Sequence, residues 1–143
     1  MTTLTRRPFT DGPQGWQIYY GDVRVGSIRM AAGLPTHADQ WTWSLGFQPG
    51  MTNVVGGTAA TFEEARAAFK AGWKLVHPKL TKEQFEAWRR DRDWTAWKYG
   101  MWAEHRLMPS QSQDGRSTCF CGARIPVACE QHVYVAHRGI GRV

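Results

Sequence analysis

Trp41-Thr42-Trp43-Ser44-Leu45-Gly46-Phe47 is the stretch from which the fold can be read. Successive side chains of a strand point to opposite faces. Trp41, Trp43, Leu45 and Phe47 therefore share one large apolar face, while Thr42, Ser44 and Gly46 share a small polar one. A sheet with one apolar face needs a cover. Downstream, Phe62, Ala65, Phe69, Trp73 and Val76 recur every three or four residues, which is one stripe of an α-helix made to lie on that face. Thr61-Phe62-Glu63-Glu64 opens this helix as a capping box, with the Thr61 hydroxyl on the Glu64 N–H and the Glu64 carboxylate reaching back. His77-Pro78 closes it, because proline lacks an N–H and restricts the residue before it. His77 reads as a cation at the helix end.

Toward the N-terminus, the runs 16–20 and 23–30 are strand-like, and Gly21-Asp22 joins them as a tight hairpin. The segment 31–40, with Gly33 and Pro35, is a loop, as is the Gly-rich stretch from Pro49 to Ala60. Residues 1–12, with Arg6-Arg7-Pro8, read as a flexible arm. Toward the C-terminus, Thr81-Lys82-Glu83-Gln84 is a second capping box. The long second helix it opens is expected to reach about Arg106, roughly 38 Å, with a bend near Gly100. One of its stripes holds Phe85, Trp88, Thr95, Tyr99 and Trp102; another holds Ala87, Trp94, Trp97, Met101 and Met108. So wide an apolar arc needs a second cover: the tail, a ligand, or another copy of the chain in a homodimer. The fold class is therefore α+β: a three-stranded antiparallel sheet packed by a helix, a long second helix and a small Cys/His tail. The expected organisation is a flexible arm (1–12), a core domain (13–108), a polar linker (109–118) and the tail (119–143).

The core pattern Trp41-x-Trp43-x-Leu45, then Thr61-x-Glu63-Glu64-Ala65-x-Ala67-Ala68-Phe69 and Trp73, resembles a group of small proteins common in alphaproteobacteria and their mobile elements. The resemblance covers about residues 15 to 76. It rests on caps and core residues, so it implies a fold and no activity. The order of three strands and a helix is similar in layout to the three-stranded DNA-binding domains of integrases, and layout does not carry function.

The chain has 143 residues, 42% of them hydrophobic, which suffices for a core and one domain plus an appendage. Eight tryptophans are hard to bury in so small a body, so some should be half-exposed at a binding surface. The formal net charge of +6 favours anionic partners. Most of its excess lies in residues 61–108 (net +3) and 109–143 (net +2), not in the strands of 13–60, which are neutral. The N-terminus has no apolar signal core, and no apolar run is long enough for a membrane span, so the expected location is cytoplasmic and no membrane partner is expected.

Three cysteines fall within eleven residues near the end, in company with two histidines. Such clustering points to metal or thiol chemistry rather than a disulfide framework. The candidate ligands are Cys119, Cys121, Cys129, His132 and His137, one more than a zinc tetrahedron takes. Cys119, Cys121, His132 and His137 are the favoured four, because the two histidines have the four-residue gap usual in zinc fingers; Cys129 in place of one histidine is the alternative. The single residue between Cys119 and Cys121 is tighter than usual. Zinc with four protein ligands would be structural, and its binding would supply folding free energy to a short segment.

The run from Trp88 to Tyr99 interleaves cations with aromatics. Cations can neutralise phosphates while indoles stack on bases. An ordinary amphipathic helix explains the same pattern. No P-loop, dinucleotide-binding glycine motif, nucleophile elbow or HExxH is present. The leading expectation is a non-enzymatic module that binds nucleic acid or a nucleoprotein complex through Arg89, Arg90, Arg92, Trp94, Trp97, Lys98, Arg116 and Arg124. The alternative is a phage or mobile-element protein-interaction factor, an inhibitor or adaptor such as an anti-CRISPR, docking through its aromatic second helix.

Overall fold

A computed structural model describes residues 3–143. The class is α+β, with a meander of five antiparallel strands in the order β1 (Leu4–Pro8), β2 (Gly15–Tyr20), β3 (Val23–Met30), β4 (Trp41–Leu45) and β5 (Val55–Ala59). Helices α1 (Phe62–Val76) and α2 (Lys82–Ala103) follow, then a two-stranded hairpin of β6 (Arg116–Thr118) and β7 (Arg124–Pro126), and the short helix α3 (Glu130–Ala136). Two compact units part between Trp88 and Arg89, inside α2, whereas composition placed the division near residue 108.

The sheet has five strands, not the expected three, and both additions have a physical reason. The arm contains β1, which pairs with β2 from Leu4↔Tyr20 to Pro8↔Trp16. Its side chains are too polar to advertise a strand. Only Leu4 packs against the core as an apolar side chain; the rest of the contact comes from cations on rings, with Arg6 4.9 Å from the Trp16 ring centroid and Arg7 4.3 Å from that of Tyr19. Met1 and Thr2, also assigned to the arm, lie outside the described residues. At the other edge, the Gly-rich stretch contains β5, where Gly57 pairs with Trp43. A Cβ on Gly57 would stand 3.0 Å from Trp43 Nε1, so the missing side chain leaves room for the indole. Glycine is poor in strands by itself. Here it is paired with a tryptophan of the neighbouring strand.

Several other local expectations hold. Gly21, at φ 63°, turns the β2–β3 hairpin. Thr61 accepts a hydrogen bond from the Glu64 N–H, and Glu64 accepts one from Ala60 N–H, one residue before the cap. Ala65, Phe69 and Trp73 of α1 are buried, with Phe62 and Val76 packed against the same core of Val25, Ile28, Leu45 and Phe47. His77 caps α1, and its ring stacks on Trp73 at 4.9 Å. The second capping box forms, with Thr81 N–H donating to Gln84 Oε1 at 2.7 Å.

Helix α2 is shorter than the expected run to Arg106. The N–H of Arg106 bonds to the Met101 carbonyl and that of His105 to the Trp102 carbonyl, with His105 at φ 55°. This is the left-handed C-terminal stop usually supplied by glycine. A histidine in that place carries no such signal. Gly100 sits under the ring of Phe120, where a Cβ would approach to 2.9 Å.

Candidate metal centre

In the C-terminal unit, Trp94, Trp97, Met101 and Met108 are covered by Cys119, Ile125, Cys129 and Val133. One stripe of α2 therefore finds its cover in the tail, one of the three expected. The segment read as a linker takes part: Arg116–Thr118 forms β6, and Asp114 turns the chain into it by accepting from Ser112 Oγ and the Arg116 N–H. Those hydrogen bonds, followed by the nearby Arg124 cation, hold the Asp114 carboxyl below its usual range.

The hairpin turn between β6 and β7 carries Cys119 and Cys121. The Gly122 N–H returns to the Cys119 carbonyl at 2.8 Å, and Gly122 itself has φ 96°. This tight turn is how a single intervening residue can present two sulfurs on one side. Helix α3 supplies His132, and its C-cap is His137. The ligand atoms of Cys119, Cys121, His132 and His137 all lie within 4.8 Å of one another. Cys119 Sγ stands 3.3 Å from His137 Nε2, and Cys121 Sγ 3.6 Å from His132 Nε2. Ligands placed ~2.0–2.3 Å from a tetrahedral zinc are themselves ~3.3–3.8 Å apart. Two sulfurs and two ring nitrogens at this spacing suit a divalent soft-to-borderline metal.

The remaining candidate, Cys129, is not in this group. It lies buried at the start of α3, among the apolar residues of the core. Burial, with the neighbouring Glu130 charge, pushes its thiol up, so it stays a neutral core side chain. Burial and the nearby His132 lower the basicity of His137, which favours the neutral imidazole that a metal binds.

Two contacts around the group were not legible in the sequence. Trp97 Nε1–H donates to Cys119 Sγ at 3.3 Å, with both residues fully buried. Asp93 is also buried, and its carboxylate accepts from the Gly139 N–H at 2.9 Å, the Gly141 N–H at 3.1 Å and Arg92 Nε at 3.1 Å. It ties the last residues of the chain to α2. The only advance signal was an acid on a helix next to an arginine.

The expected nucleic-acid residues do not form one surface. Trp97 is inside the core, so it cannot stack on a base. Arg92 turns inward to Asp93, with its side chain 11% exposed. Trp94 is half-buried against Trp97. Arg89 is half-buried and already engaged within the fold. Arg90 is exposed beside the Tyr134 ring, and Lys98 is exposed beside Trp94. Arg116 is exposed, and Arg124 is paired with Asp114 at 2.9 Å. Sequence reasoning did not single out Tyr99 and Trp102 as site residues, yet they are 67% and 77% exposed and share a shallow groove with Thr95 and Lys98. No helix among the described residues is long and apolar enough to cross a membrane. No protein family, curated protein or solved structure matches this chain.

Proposed function

We propose that the C-terminal unit is a zinc-held module and that the protein is a non-enzymatic binder of nucleic acid. The convergence of Cys119, Cys121, His132 and His137 carries the first half of this reading. These residues would hold zinc, which would act as a cross-link between the hairpin and α3. Four protein ligands leave no coordination position for water or substrate, so the metal's part is structural. Helix α3 itself bears no Lys or Arg, so it is not a reading helix of the kind zinc fingers insert into a groove.

The binding half rests on the outer face of α2. Lys98 can meet a phosphate, while Tyr99 and Trp102 offer exposed rings to unstacked bases. Such a face suits a single strand. The test is a titration of the protein with single-stranded DNA, duplex DNA and RNA at several salt concentrations, read by tryptophan fluorescence. Single-strand binding should quench the emission, weaken steeply with salt, and fall about tenfold or more in Trp102→Ala. No binding at low salt would remove this half of the reading.

The same exposed rings support a second reading, an aromatic docking site for a protein partner, which includes an inhibitor or adaptor role and self-association through α2. Its affinity would change little with salt. Light scattering on the wild type and on Trp102→Ala reads self-association directly.

A further inference from the structure

We infer that the N-terminal unit carries a separate binding groove for an acidic amphipathic helix of a protein partner. Helix α1 packs over β3, β4 and β5, and β2 reaches it through the rings of Trp16 and Tyr20. The strip of sheet near β1 is left without a helix of its own. A groove of about 810 Å³ lies there, floored by Leu4, Ile18, Ile28, Phe62, Phe69 and Trp73.

Its walls are cationic. Arg66, Lys70 and Lys74 stand four residues apart along α1, exposed, and Arg6 faces them from β1. Four residues of helix rise about 6 Å, so the three α1 cations form a ladder of roughly 12 Å along one wall. No Asp or Glu lines the groove, and none of the three cations has an ion pair among the described residues.

The repetition of charge selects the occupant. A ligand with one anionic head would need one cation at one end. A ladder at one-turn spacing matches carboxylates at i, i+4 and i+8 on another helix, whose apolar face would then fill the floor. Such a helix would lie beside α1 on the same sheet face, the position from which a two-layer α+β sheet is ordinarily completed.

The probe is a fluorescent synthetic helix of about 16 residues, matched to α1 in length, with leucine on one face bordered by glutamates at i, i+4 and i+8. Anisotropy with the full chain should show saturable binding. Lys70→Glu should weaken it at least tenfold, and Leu4→Glu, which puts an anion on the floor, should do the same. A peptide of equal composition in scrambled order should bind at least tenfold more weakly. Circular dichroism confirms that both variants fold. Equal affinity for the scrambled peptide, or no effect of either variant, overturns the proposal. Displacement of the helix by an oligothymidylate or by a long-chain fatty carboxylate at lower concentration also overturns it, by assigning the groove to another class. Trp102→Ala should leave this binding unchanged, which keeps its outcome apart from that of the nucleic-acid titration.

Discussion

Cys119 and Cys129 are both buried cysteines, yet their surroundings assign them opposite roles. Cys119 receives the Trp97 indole N–H and faces a ring nitrogen. Cys129 has a raised thiol among apolar neighbours. Cys129→Ala should therefore keep one equivalent of zinc and lose about 1–2 kcal/mol of stability for the small space left behind. Cys119→Ser should lose the metal; cobalt absorption and elemental analysis separate the two variants. Trp97→Phe keeps an aromatic ring but removes the donor to the sulfur, so zinc affinity should fall about 10–100-fold. Retention of wild-type affinity would mean the indole is only a core residue.

The elements depend on contacts that a helix or strand cannot provide for itself. Asp93 bonds two backbone N–H groups of the C-terminal turn to α2, and truncating it leaves those two donors without their acceptor. Asp93→Ala should destabilise the C-terminal unit by ~3 kcal/mol, read by thermal unfolding, with Asp93→Asn nearer ~1–2 kcal/mol. In the sheet, β5 is a strand because Gly57 admits the Trp43 indole. Gly57→Val should cost about 1–3 kcal/mol through overpacking although valine favours strands, and a stabilised variant would refute this account.

At the scale of the whole molecule, the two units should respond differently to metal removal. The N-terminal unit has a core of Ile28, Leu45, Phe69 and Trp73 that does not involve the four ligands. Chelation should raise hydrogen exchange across residues 116–137 and leave β2 to β4 protected. A uniform change, or none, would contradict a zinc-held tail. Acid should do the same in a defined direction. The basicity of His137 is lowered by burial and by His132, so the folded state resists its protonation. That contribution is complete above the ordinary imidazole value of about 6.5 and is lost as pH falls toward and through the lowered one. The tail's melting temperature and its zinc affinity should therefore decline together below about pH 6.5.

Much was legible along the chain because it depends on neighbours in sequence. The Trp41–Leu45 alternation, the Gly21-Asp22 turn, the Thr61 cap and the Thr81–Gln84 capping box, the buried stripe of α1 and the Cys/His donor set all belong to this kind. The edge strands do not. Arg6 and Arg7 are strand residues only because the rings of Trp16 and Tyr19 on the neighbouring strand take their cations, and Gly57 only because Trp43 lies across from it. The site divides in the same way. Five ligand candidates were visible as residue types, but choosing four needs the hairpin turn and α3 in place, which puts Cys129 into the core. Trp97 and Trp102 are both tryptophans of one helix, five residues apart, and which is core and which is surface depends on where the tail lies. Composition and spacing determined which residues and elements were available; long-range packing decided which of them meet, because burial and metal geometry are properties of groups far apart in the chain.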